Sequence, residues 1–196
     1  LSSGGKRLRA MLVLLSSEAV GGRTASALDA AAAIEILHNF TLVHDDVMDH
    51  AALRRNRPTV HATWDENVAI LAGDELIAYA YRSLLKSPAA QSKAILEVFT
   101  DAFIEVCEGQ GFDKEFESRR DVTLGEYLRM IEKKTAAVIA AATEIGGILG
   151  GGSPRQVAAL RTFGEQLGLA FQIQDDLLDV DGEEQVFGKR IGGDIV

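Results

Sequence analysis

Two blocks of this sequence carry the same arrangement of acids: His44-Asp45-Asp46-Val47-Met48-Asp49 and Gln174-Asp175-Asp176-Leu177-Leu178-Asp179, both of the form DDxxD. On a helix, residues four apart lie about 40° apart around the axis and one turn apart along it. Asp45 and Asp49 therefore share a face, as do Asp175 and Asp179. Several anions gathered near the negative end of a helix dipole cost several tenths of a kcal/mol each, roughly, unless a cation offsets them. Hard oxygen ligands select Mg²⁺, which keeps some waters and shares its remaining positions with phosphates. A single DDxxD reads as a solvated acidic helix end. Two copies, the second following the apolar stretch 167–173 that should seat its helix in a core, read as opposed walls clamping Mg²⁺ around one diphosphate.

A second anionic substrate would need its own cationic pocket. The candidates are Lys6 and Arg9, beside Gly4-Gly5, and Arg55; Arg54 and Arg55 follow the first acidic block within one loop, so one could face each phosphate group. Glycine lets backbone approach a phosphate closely, and arginine offers a planar fork to its oxygens. Seven residues, or two turns, before Asp45 stands His38, and seven before Asp179 stands Gln172, so polar groups line the stripe below each acid pair. Glu35 and His38 also form an ExxH pair, but a di-iron bundle needs two such pairs and two further glutamates; no second ExxH exists. Lys134, followed by Thr135 and a run of small apolar residues, either snorkels to the surface or points into the site.

The elements that must position these groups read as helices. The chain has 196 residues, is 47% hydrophobic and contains three prolines, enough for one core and with no mark of a second domain. Periodicity and capping signals predict helices over 7–20, 24–49, 65–86 and 89–108, with Gly109 to Gly111 as a break. Thr123 and Glu126 fit a capping box opening a helix to about residue 149. The run Gly150-Gly151-Gly152-Ser153-Pro154 is a turn, with Ser153 capping a last long helix to about residue 179. Residues 56–58 read as loop. The fold class is all-α: a single-domain antiparallel helical bundle with short connections.

No apolar run approaches the roughly 20 residues of a membrane span, and no signal-peptide layout opens the chain, which points to a soluble cytoplasmic protein. The net charge of −9 argues against a nucleic-acid surface, leaving only small phosphate sites at local basic clusters. Cys107, the single cysteine, is expected to be a small buried residue. The chain begins at Leu1 and stops at Val196, the pattern expected of a domain trimmed at both ends.

Taken in order, these residues resemble the trans-isoprenyl diphosphate synthases, or polyprenyl synthetases, of the short-chain type. The resemblance runs nearly end to end: Gly4 to Arg9, His38, the first acidic block, Leu53-Arg54-Arg55, Arg57 to His61, Gly73-Asp74, Cys107 to Gln110, Lys134-Thr135, Phe171 to Asp176, Gly188-Lys189 and Gly193-Asp194. It implies an isoprenoid synthase type I fold, helices around a deep central cavity, usually as a homodimer. It implies that Asp45, Asp49, Asp175 and Asp179 are Mg²⁺ ligands, and that Lys6, Arg9, His38 and Arg55 bind isopentenyl diphosphate. Arg54, Lys134, Thr135, Gln172 and Lys189 become contacts to the allylic diphosphate. The reaction implied is ionisation of the allylic C–O bond, attack of the isopentenyl double bond on the cation, and loss of a proton to the released pyrophosphate, with Thr135 and Gln172 offering oxygen dipoles to the cation.

By the same resemblance Phe40, five residues before the first aspartate, is the stop that sets C15 to C20 products. Ideal helix geometry turns Phe40 about 140° from Asp45 and faces Thr41 to the site more directly. The sequence departs from the family at Arg55-Asn56-Arg57, where glycine then lysine is usual, and after Lys189, where proline is common. The rival readings are a class I terpene cyclase, which has a different second metal motif, and a helical subunit that binds metal without catalysis.

Overall fold

The computed structural model describes residues 5–181, and nearly all of them are helical. The order is α1 (Leu8–Ala19), α2 (Thr24–Met48), a hairpin of β1 (Leu53–Arg54) and β2 (Arg57–Pro58), α3 (Val60–Thr63), α4 (Glu66–Leu84), α5 (Ala89–Phe116), α6 (Leu124–Ile131), a π-helical segment (Glu132–Ala136), α7 (Ala137–Leu149) and α8 (Pro154–Asp181). Helix α7 is the hub: α1, α2, α5 and α8 all pack on it. Eleven of its thirteen residues are buried, and the small residues among them let the neighbouring helices come close. Val13, Ile34, Leu37, Phe99, Ile139 and Ile145 are fully enclosed in the core, each contributing about 2 kcal/mol by leaving water.

Three helix starts, those of α4, α6 and α8, follow local chemistry. The Asp65 side chain accepts from the Val68 amide at 2.9 Å. Thr123 and Glu126 form the predicted capping box, and Ser153 forms a second with Gln156, whose side-chain oxygen accepts from the Ser153 amide at 2.9 Å. Such reciprocal caps satisfy the first-turn N–H groups that a helix leaves without partners.

Several expectations change. Gly109 and Gly111 do not break α5, which runs on to Phe116. Gly109 is buried where α5 meets the π segment; a Cβ there would stand 2.3 Å from the Lys134 nitrogen. The glycine is required by close approach, not by a turn. The predicted helix from residue 124 to 149 is continuous but widens at residues 132–136 into one π turn. Residues 53–58, expected partly as loop, form a two-stranded hairpin pairing Leu53 with Pro58 and Arg54 with Arg57. Its turn residues Arg55 and Asn56 have φ of 51° and 60°, the left-handed region that glycine favours and asparagine tolerates. Asn56 can thus replace the family's glycine without changing the turn.

The apolar stretch before the second acidic block is not enclosed as expected. Phe171 and Ile173 of that stretch, like Leu177 and Leu178 within the block, are exposed, because among the described residues α8 packs along one side only, on α7, the π segment and α6. Cys107 is exposed rather than buried: on α5 it is Val106 that points into the core, turning its neighbour toward the Asp45 side.

Candidate active site

The first acidic wall is the C-terminal end of α2. Asp46 is buried, and Arg54 Nε from the hairpin donates to its Oδ1 at 2.7 Å. Burial pushes the Asp46 carboxyl up, against the pull of Arg54. Asp45 is pushed up to about 6, chiefly by burial; the charges of Asp49 and Asp113 add to this and those of Lys134 and Arg54 oppose it. Lys134 Nζ donates to Asp113 Oδ2 at 2.6 Å. Lys114 reaches the Asp49 carboxylate at 3.4 Å and the Met48 carbonyl at 3.1 Å. Lysines from α5 and the π segment thus offset an acidic cluster that burial disfavours.

The second wall lies on α8 and is held by neutral donors. The Thr135 hydroxyl donates to Gln172 Oε1 at 2.7 Å. Gln172 Nε2 donates in turn to Asp176 Oδ1 at 2.8 Å, and the Tyr127 hydroxyl donates to the other oxygen, Oδ2. Asp175 is exposed, and Asp179 Oδ2 is buried without a hydrogen-bond partner among the described residues.

Both walls meet at the π segment. Lys134 serves the Asp45 side through its charge and its bond to Asp113, while the next residue, Thr135, bonds to Gln172 on α8. An extra residue in a helical turn changes which side chains share a face, and such bulges concentrate at functional sites. Here the turn is pressed between two side-chain-free positions, Gly109 of α5 and Gly168 of α8; a Cβ at Gly168 would stand 2.5 Å from Ala136 Cα.

A cationic cluster gathers beyond the first wall. Arg9 Nη1 lies 3.4 Å from His38 Nε2 and Arg7 donates to Glu35 Oε1 at 2.8 Å. A Cβ at Gly5 would stand 2.7 Å from an Arg55 nitrogen. Burial, then the charges of Arg9, Arg55, Arg54 and Arg7, bring the His38 imidazolium down to about 3, so His38 is neutral near pH 7. Because arginine can only donate, His38 Nε2 is the acceptor and the ring proton belongs on Nδ1. A neutral histidine among arginines is an environment built for an anion. Glu35, engaged by Arg7, has no part in a di-iron pair.

Of the residues singled out from sequence, Arg9, His38 and Arg55 come together, as do Asp45, Arg54 and Lys134, and Thr135 with Gln172. Lys6 is exposed at the entry to α1. The Phe40 ring is buried, 4.6 Å from the ring of His44 and 5.3 Å from that of Phe103 between centroids, and Thr41 donates to the His38 carbonyl at 2.9 Å. Lys189, with Gly188, Gly193 and Asp194, lies outside the described residues. Three residues escaped the sequence reading: Asp113, Lys114 and Tyr127. The first two follow the supposed break in α5, and Tyr127 stands two turns before Lys134, a spacing that could have flagged it.

Among the described residues no three His, Cys, Asp or Glu side chains are gathered tightly enough to cage an ion by themselves. The donor set nevertheless fits a hard divalent cation. Asp45 is a partly buried carboxyl whose charged form burial disfavours, Asp179 has a buried oxygen without a partner among the described residues, and carboxylate pairs leave positions that Mg²⁺ fills with water and phosphate. A cavity of about 300 Å³ between α2, α3 and α4, lined by Asn39, Val43, Glu75, Leu76 and Tyr79 among others, has none of the aspartates of the two acidic blocks in its lining.

The polyprenyl synthetase family model matches residues 1–196. The chain is 51% identical over 196 residues to a short chain isoprenyl diphosphate synthase of Methanothermobacter thermautotrophicus, covering 100% of this chain and 60% of that protein. It is 45% identical over 198 residues to a geranylgeranyl diphosphate synthase of Methanosarcina mazei, covering 100% and 61%. The crystal structure of geranylgeranyl pyrophosphate synthetase from Pyrococcus horikoshii superposes with a TM-score of 0.93 at 46% identity, covering 98% of this chain and 59% of that one. The chain thus spans about three-fifths of the length of the relatives it matches.

Proposed function

The chain belongs to the polyprenyl synthetase family, and on that premise we propose that it carries the catalytic walls of a prenyltransferase. The enzyme joins an allylic diphosphate head-to-tail to isopentenyl diphosphate, giving an all-trans prenyl diphosphate of C15 to C20 and pyrophosphate. The observation that carries this reading is the meeting of both acidic walls at one π turn, where Lys134 serves the first and Thr135 the second. The names of the relatives, geranylgeranyl and farnesyl diphosphate synthases among them, support the product range.

Asp45 and Asp49 from α2, with Asp175 and Asp179 from α8, would hold Mg²⁺, which when bound supplies positive charge to the leaving diphosphate. Lys134 and Arg54 add fixed cations on the same side, and Lys189 is assigned to the allylic diphosphate with them. Arg9, neutral His38 and Arg55, with Lys6 at the rim, form the isopentenyl diphosphate site. Fixed charges and oriented dipoles lower the barrier because they need not reorganise as the C–O bond ionises. Thr135 and Gln172 present oxygens to the allylic cation. Phe40, with Thr41 beside it, limits product length from below the first wall. A homodimer working in the cytoplasm completes the proposal; no described helix is long and apolar enough to cross a membrane.

The test is incubation of the full chain with Mg²⁺, isopentenyl diphosphate and geranyl or farnesyl diphosphate, following pyrophosphate release and product length by chromatography. Elongated linear products of C15 to C20 are expected. Cyclised hydrocarbon, or binding without turnover, would overturn the reading.

A further inference from the structure

A primary amide has an accepting end and a donating end, and the end turned toward a developing carbocation decides whether it lowers or raises the barrier. For Gln172 the surroundings make the choice. Its Nε2 donates to Asp176 Oδ1 at 2.8 Å and its Oε1 accepts from the Thr135 hydroxyl at 2.7 Å. Turning the amide over would set its oxygen against a carboxylate oxygen, two acceptors face to face, and would strip the Thr135 hydroxyl of its acceptor. The orientation is only as firm as Asp176, and an aspartate held through one oxygen is free to swing. Asp176 is held through both, because the Tyr127 hydroxyl donates to Oδ2.

Tyr127 itself is placed by local structure. It is the fourth residue of α6, and its amide donates to the Thr123 carbonyl at 3.0 Å. The Thr123–Glu126 capping box, with Arg119 paired to Glu126 at 2.9 Å, secures that first turn. With both oxygens engaged by protein donors, Asp176 differs from Asp179, which has an oxygen without a partner among the described residues.

We propose that Tyr127 is a positioning residue that acts through Asp176 to lock the Gln172 amide, so that oxygens of Gln172 and Thr135, and not amide hydrogens, face the allylic cation. This rests on the prenyltransferase reading. Without Tyr127, Asp176 loses one of its two anchors and Gln172 samples the reversed orientation. The cost falls on the charged transition state and not on binding of the neutral prenyl chain.

Two unreactive probes separate these effects in the full chain with Mg²⁺: an allylic diphosphate analogue with an ammonium nitrogen where the cation develops, and a thiolodiphosphate of the same length that is neutral at that position, the neutral probe. Wild type should prefer the ammonium probe. Tyr127→Phe should lose that preference by about tenfold, with the Kd of the neutral probe unchanged and kcat down about tenfold at unchanged KM. In a Gln172→Leu background, which has no amide to orient, Tyr127→Phe should cause no further change. Wild-type preference kept by Tyr127→Phe, or an equal loss in the Gln172→Leu background, overturns the positioning role while leaving the prenyltransferase reading intact. Wild type that binds neither probe overturns both.

Discussion

Asp46 on α2 and Asp176 on α8 hold the same place in their motifs, and the structure treats them differently. Asp46 is buried and answered by a cation, Arg54 at 2.7 Å, while around it Lys134 and Lys114 offset Asp113 and Asp49. Asp176 is half-buried and answered by neutral donors, Tyr127 and Gln172. The first wall lies at the end of α2, where Arg54 of the hairpin meets the buried Asp46 and Lys114 of α5 meets the exposed Asp49, so its acids are answered by opposite charge. The second lies on the more open α8, where direction matters more than charge. One motif therefore supports two tasks: concentrating charge on one side of the site and orienting dipoles on the other.

The largest blow to that contrast is Asp45→Ala. It should cut turnover roughly 100- to 1,000-fold with far-UV circular dichroism unchanged, because transition-state charge loses a partner. Near-normal turnover would remove Asp45 from the chemistry. Next is Arg54→Ala, which leaves Asp46 buried without its cation and should cost about 3 kcal/mol in denaturant unfolding. Tyr127→Phe, which removes a neutral donor, should cost only about 1 kcal/mol. Equal losses at the two sites would erase the difference between the walls.

Gly109→Ala probes the turn they share. Its Cβ would come within 2.3 Å of the Lys134 nitrogen, so a loss of about 2 kcal/mol from overpacking is expected. An unchanged melting temperature would show that α5 and the π segment have room to spare. An effect as small as that of Tyr127→Phe belongs to the cap behind it: Thr123→Ala should cost about 1 kcal/mol, seen as a drop of about 3 °C in Tm. The same cap has an acid limb. Hydrogen bonds from the Thr123 backbone and hydroxyl, and from Arg119, hold the Glu126 carboxyl at about 2 against an ordinary 4.5. A lowered folded-state pKa means the unfolded chain binds the proton first as pH falls. Stabilisation by Glu126 is thus full above about pH 4.5 and lost on the way to pH 2, and Glu126→Ala should flatten stability in that window.

Much of this was legible in the chain. The capping boxes at Thr123 and Ser153 could be read because donor and acceptor lie three residues apart. The two acidic blocks could be read because four-residue spacing fixes a face on any helix. Gly109 was misread because a glycine looks the same in sequence whether it ends a helix or admits another backbone. Cys107 was misplaced for a related reason: a helix taken to stop at residue 108 gives no guide to which of its faces stays open. Asp113 and Tyr127 were missed because their partners, Lys134 and Asp176, lie 21 and 49 residues away.

By itself, then, the order of residues determined most of the helices, the caps at Thr123 and Ser153, the paired carboxylates and the family. Those follow from interactions within a turn or two, whose geometry is the same in every helix. The tertiary structure alone decided which acids meet cations and which meet neutral donors, that His38 is neutral, and that one π turn serves both walls. Charge state and hydrogen-bond direction depend on burial and on groups brought from other helices, and neither exists until the helices pack.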